Sequence, residues 1–211
     1  MISRIHLSTI LLLAALIWGI LLIVLGGVVV SISWIRHLST VTGVLLLLLS
    51  AFDIWLWHLP ILQGWFVKRP DIRGTWETTI RSNWIDPSTG KGIGPIKAYM
   101  AVRQTYSSLS MRLMTNESDS ELIGSEIVSF PDGTFNIAGV YRGEPKQLIR
   151  DRSPMYYGAM LLQVIGSPPT SLKGHYWTDR NTLGEIELAS RKSNVYPDFE
   201  TAHNAFSSGS P

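Results

Sequence analysis

Two long apolar stretches open this chain, and both are too long for the core of a small soluble domain. Residues 10–30 hold no ionisable side chain. Their 21 residues, wound as an α-helix rising about 1.5 Å each, reach about 30 Å, the hydrocarbon thickness of a bilayer. A second run, residues 41–62, follows the short connection 31–40 and is interrupted by Asp53 and His58. The pattern predicts a two-helix transmembrane hairpin over residues 1–67. A cleaved leader does not account for the first run. It exceeds the 7–15 apolar residues of a signal peptide, bulky Ile32 and Trp34 follow it, and another span comes next.

Flanking positive charge sets the orientation. Arg4, Lys68, Arg69 and Arg73 stand outside the pair of runs, and Arg36 alone lies in the connection. Both chain ends are therefore expected on the cytoplasmic side. Asp53 admits two readings. A carboxylate at membrane depth is costly and faces a protein or water interior; alternatively the span ends early and Trp55, Trp57 and His58 mark the interface.

Beyond residue 70 the period of the pattern falls to two, the signature of strands with one buried face. In 73–82, Gly74, Trp76, Thr78 and Ile80 alternate with Thr75, Glu77, Thr79 and Arg81. Further strands are expected at 96–106, 108–115, 121–130, 134–141, 155–165, 172–178 and 185–190, with Pro131-Asp132-Gly133 as a turn. Eight short sequential strands without an amphipathic helix predict a small antiparallel up-and-down β-barrel over residues 68–192, a closure that removes exposed edges; a sandwich is the alternative. Residues 193–211 lose the alternation and read as a disordered tail.

The face expected to point inward is not purely aliphatic. Thr78, Gln104, Thr115, Tyr141, Tyr176 and Thr178 share it with Trp76 and Phe135. Buried polar groups need partners: either they satisfy one another, or a polar ligand does. Other chemistry finds little footing. The net charge of +2 is too small for a binder of DNA or RNA polymers. There is no cysteine, hence no disulfide and no thiolate metal site. The five histidines form no cluster with metal-ligand spacing, and no nucleophile elbow is present. Ser88-Thr89-Gly90-Lys91-Gly92 lacks the spacing of a phosphate loop and a following helix. Catalysis is thus left without support from the residues, and no cofactor is expected.

Several segments carry a resemblance through their order and spacing: Ile72-Arg73-Gly74-Thr75-Trp76, Gln104-Thr105-Tyr106-Ser107, Thr115-Asn116-Glu117-Ser118-Asp119-Ser120, Tyr141-Arg142-Gly143-Glu144-Pro145, Tyr157-Gly158-Ala159, and Leu172-Lys173-Gly174-His175-Tyr176-Trp177-Thr178-Asp179-Arg180. From the apolar runs to about Lys192, the chain resembles the two-transmembrane, β-strand-rich effectors of CBASS anti-phage operons. It departs from the family pattern at Tyr156-Tyr157, where a histidine is often found. The resemblance implies a non-enzymatic receptor in the bacterial inner membrane that binds a cyclic di- or trinucleotide made by a partner nucleotidyltransferase, forms a homo-oligomer and disrupts the lipid bilayer, ending the infection by abortive cell death. Arg180, with Ser118 and Ser120, is then expected to meet phosphates; Arg150 and Arg152 are secondary candidates. Gln104, Thr115, Tyr141, Tyr176 and Thr178 are expected to meet the rest of the ligand. A membrane-tethered, lipocalin-like carrier or sensor of an apolar ligand is the alternative function.

Overall fold

The computed structural model describes residues 11, 12, 15, 16, 19, 43, 46–64, 66–86 and 89–208. The chain forms two compact units, one of Met1–Lys68 with Thr105–Ser107, the other of Arg69–Gln104 with Ser108–Pro211. Most of the first apolar run and all of the connection 31–40 lie outside the described residues. Among the described residues, no helix is long and apolar enough to cross a membrane.

In the first unit, residues 46–54 are helical and a short 3₁₀ turn, Leu56–His58, follows. Asp53 stands one residue before the end of that helical stretch. Its carboxylate accepts the Ser107 N–H at 2.7 Å, and its backbone carbonyl accepts the Tyr106 N–H at 2.9 Å. Phe52 packs edge-on against Phe66 and Tyr106, with centroids 5.9 and 5.1 Å away.

The second unit is an antiparallel barrel of eight strands in sequence order, closed by β8 pairing with β1. The strands are β1 (Gly74–Ser82), β2 (Ile96–Gln104), β3 (Leu109–Met114), β4 (Ser118–Ser129), β5 (Phe135–Pro145), β6 (Tyr156–Ile165), β7 (Ser171–Thr178) and β8 (Leu183–Lys192). The barrel, not the sandwich, is realised. β4 and β5 are longer than their side-chain alternation suggests. Their pairing runs from Ser129↔Phe135 to Ser118↔Pro145 through a bulge between Leu122 and Gly124, so backbone hydrogen bonds carry the strands past the point where the apolar pattern stops.

Period-two alternation places Trp76, Ala98, Met100, Val102, Ile137, Leu162, Leu172 and Leu188 inside, all buried. Burying each of the larger ones stabilises the fold by about 1.5–3 kcal/mol. One end of the barrel is sealed. The Trp76 indole N–H donates to the Ile72 carbonyl at 2.8 Å. Gln104 completes the floor with both halves of its amide: Oε1 accepts the Ile72 N–H at 3.1 Å and Nε2 donates to the Pro70 carbonyl at 2.9 Å.

The disordered tail expected over 193–211 is corrected by a helix, α1 (Phe199–Ser207). Its start is fixed by Asp198, which accepts the Thr201 N–H at 2.8 Å and its hydroxyl at 2.9 Å, a standard N-cap. The helix covers Tyr99, Ala101 and Met114, the outward side chains of β2 and β3, which are buried with Ala202 beneath Tyr196, Phe199 and Phe206. Its nine residues are too few to be stable alone; docking on an apolar patch of the wall holds them. That is why local composition suggested disorder.

Candidate functional site

The end of the barrel opposite the floor is open. The described parts of four connections ring it, at residues 83–86 with 89–95, 115–117, 146–155 and 179–182. Inside lies a cavity of about 1150 Å³, at the upper edge of the roughly 300–1,000 Å³ typical of small-molecule sites. Its lower part is lined by Met100, Met111, Met160 and Ile186, and its upper part by Tyr141, Tyr156, Tyr176 and Arg180 with hydroxyl residues between them.

The tyrosines are held by a device of the register. Gly143 stands opposite Tyr156, Gly158 opposite Tyr141, and Gly184 opposite Tyr176. A Cβ on Gly143 would overlap the Tyr156 ring, and one on Gly158 would come within 2.5 Å of the Tyr141 ring. Each ring therefore lies across a bare stretch of neighbouring backbone, and two strand pairs, β5–β6 and β7–β8, are paved with aromatic surface. The Tyr141 and Tyr156 rings meet edge to face at 6.3 Å, a favoured aromatic geometry. The Tyr156 hydroxyl lies 3.3 Å from Ser120 Oγ. Burial, reinforced by the other two tyrosine hydroxyls, pushes the Tyr141 pKa above its ordinary value; burial likewise raises that of Tyr176. Both phenols remain neutral donors at physiological pH.

Arg180 sits at the rim with its guanidinium 4.0 Å from the centre of the Tyr156 ring. Its Nη1 donates to Ser153 Oγ at 2.9 Å and to the Pro154 carbonyl at 3.3 Å. These acceptors are neutral, and among the described residues no carboxylate forms an ion pair with it, so its charge is oriented without being cancelled there. Arg152 differs: it also lines the cavity, but it is ion-paired with Glu117 at 2.6 Å. Arg150 donates to the Pro145 carbonyl at 3.1 Å and lies 4.0 Å from Glu144.

Seven of the eight ligand-site residues expected from the sequence line this one cavity: Thr115, Ser118, Ser120, Tyr141, Tyr176, Thr178 and Arg180. Two of them mainly shape turns. Thr115 Oγ1 donates to the Ser118 carbonyl and accepts the Ser118 and Glu117 N–H groups. Thr178 Oγ1 lies 2.6 Å from Thr182 Oγ1 and accepts the Arg180 and Thr182 N–H groups. Gln104 is the exception. It faces inward as expected but lies in the floor, where its amide is used by backbone; parity along a strand gives the face and not the depth. Tyr156 was missed as a site residue, although its even spacing with Gly158 and Met160 already placed it inside. Trp84, in the connection after β1, and Lys97, at the start of β2, also line the cavity. Among the described residues no group of His, Asp or Glu could hold a metal ion.

The arrangement offers flat aromatic surface, neutral hydroxyl donors and one oriented cation, the features that suit a ligand combining bases with phosphate. No curated protein matches the chain. Residues 67–190, more than half of it and the whole barrel up to β8, match the model of a family described as Cap15, cyclic dinucleotide receptor domain. The chain belongs to that family, a CBASS effector domain, as its resemblance in sequence implied.

Proposed function

We propose that this chain is the membrane effector of a CBASS anti-phage system, and that its barrel is the switch. A cyclic oligonucleotide, made by a partner nucleotidyltransferase, enters the open end of the barrel. Its bases lie against the tyrosines, its phosphates meet Arg180 with Ser118 and Ser120, and the liganded barrels gather into a homo-oligomer. Residues 1–67 form a two-helix hairpin in the bacterial inner membrane, with both chain ends on the cytoplasmic side where the messenger is made. Clustering of the hairpins disrupts the bilayer, and the infected cell dies before the phage matures. The protein acts by binding and does no covalent chemistry.

One observation carries this reading: a chain of the cyclic dinucleotide receptor family has an open cavity in which Arg180, held by neutral acceptors, lies over a tyrosine pavement. Base–aromatic stacking contributes about 1–3 kcal/mol per base, and hydrogen bonds from a cation to an anion about 1.5–3 kcal/mol. Thermal melting of the full chain in detergent, with a panel of cyclic di- and trinucleotides, tests it. A ligand at a hundredfold excess over its dissociation constant stabilises the bound fold by about 2.7 kcal/mol. The same ligand is expected to release dye from vesicles containing the protein. A panel that neither shifts the melting nor triggers leakage sinks the proposal.

The methionine-lined lower half of the cavity also supports the alternative of an apolar ligand. Native mass spectrometry separates the two: a co-purified lipid that no cyclic nucleotide displaces favours the carrier.

A further inference from the structure

The wall of the cavity is not made by the barrel alone. Besides barrel residues such as Lys97 of β2 and Asn116 of the 115–117 turn, the lining includes Phe199, the first residue of α1. This helix lies beyond residue 190, outside the residues matched to the receptor family. It is nevertheless bound to the barrel at separate points. The Thr75 hydroxyl donates to the Asn194 carbonyl at 2.8 Å and accepts the Tyr196 N–H at 3.0 Å. Arg112 donates to the Pro197 carbonyl. Lys192 donates to the Ala205 carbonyl at 2.6 Å, and the Tyr99 hydroxyl lies 3.0 Å from His203 Nδ1.

These contacts leave Phe199 little freedom. Its ring stacks on His203 at 5.8 Å with the planes 5° apart, and meets Tyr99 at 5.4 Å. The ring is only half-buried and contributes to the lining of the cavity. A rigid, partly desolvated aromatic surface gains on contact with a ligand without losing side-chain entropy. Lys97, another residue of the lining, holds its charge against Glu77 at 2.9 Å and lies 5.8 Å from the centre of the Tyr99 ring that Phe199 meets.

We propose that Phe199 is a specificity-determining residue of the receptor, and that α1 is a wall of the ligand site added to the shared barrel. Phe199 meets one base of the ligand outside the lumen, while the tyrosines hold the other within. This rests on the proposed nucleotide-receptor function. On this reading the lumen takes one base of a cyclic dinucleotide and the surface at Phe199 takes the other.

The test uses the full chain in detergent and the cyclic dinucleotide it binds most tightly from a panel of purine and pyrimidine members. Calorimetric affinities are compared for the wild type, Phe199→Ala and Phe206→Ala. Phe206 packs on Tyr99 at 5.3 Å from the other end of α1 and is absent from the cavity lining, so its removal loosens the helix without touching the ligand. The expected result is a loss of affinity of about 5- to 100-fold for Phe199→Ala, the range produced by removing a base–aromatic contact, with Phe206→Ala close to wild type and both variants melting cooperatively. Equal losses in both variants, or no loss in Phe199→Ala, overturn the inference. A wild type that binds no cyclic dinucleotide overturns the receptor reading itself, and the role of Phe199 falls with it.

Discussion

Tyr141 and Gly158 stand directly opposite each other on β5 and β6, and the tyrosine ring occupies the space where a side chain on residue 158 would begin. Gly158→Ala therefore has two consequences. The added methyl overpacks the wall, at a cost of about 1–3 kcal/mol, and the Tyr141 ring is driven into the lumen. Melting temperature is expected to fall and ligand affinity to fall with it. The methyl would also stand 2.6 Å from the Trp177 carbonyl oxygen, so Tyr141→Ala in the same chain should restore only part of the melting temperature and none of the affinity, which separates the strain from the loss of binding surface.

Arg180→Ala is expected to leave the melting of the unliganded barrel nearly unchanged and to weaken cyclic nucleotide binding about 10- to 100-fold, the factor that follows from losing a charged hydrogen bond to phosphate. Arg180→Lys should recover only part of this, because an ammonium cannot reproduce the planar guanidinium over Tyr156. Isothermal titration measures both. Binding by Arg180→Ala at wild-type strength would place the phosphates elsewhere.

Gln104→Ala is expected to behave in the opposite way. It leaves the Ile72 N–H and the Pro70 carbonyl without their amide partner in the sealed floor, and a buried group left unsatisfied costs about 1–3 kcal/mol. Denaturant unfolding should report the loss, while the dissociation constant for the ligand stays within about twofold once the fraction folded is taken into account.

The phenols predict the response to alkali. Burial holds the Tyr141 and Tyr176 pKa values above their ordinary 10.0 in the folded chain. A folded-state pKa above the unfolded one gives a contribution to stability that is complete below the unfolded value and is lost as pH rises from there through the folded value. The melting temperature should therefore be insensitive to these groups up to about pH 9 and fall above about pH 10. Tyr141→Phe should flatten that decline, and unchanged curves in the two proteins would refute the assignment.

Legibility from sequence varied with the kind of physics involved. The barrel could be read because each strand buries one face, so Trp76, Met100 and Leu162 announce their side by parity alone. The same parity puts Tyr141, Tyr176 and Thr178 on the inner face, and Arg180 stands in a turn at a strand end. Depth along the barrel is hidden, since it depends on the stagger of all eight strands; parity alone does not show that Gln104 lies in the floor and Tyr156 beside the cavity. The helix at Phe199–Ser207 was hidden for a related reason. Its stability comes from Tyr99, Ala101 and Met114, side chains about a hundred residues away, and nothing in its own composition announces them.

Closure of the ring through β1 and β8 ties receptor competence to completion of the chain. Thr78 finds Leu188, and Ser82 finds Gly184, only after every intervening strand has been made. A ribosome-bound fragment that stops short of Leu183 has two raw edges and a gap in its wall, so the open cup is not yet formed. Contacts this distant in sequence also form slowly. A newly synthesised copy thus completes its chamber only at the end of its own folding, an intrinsic delay between synthesis and readiness.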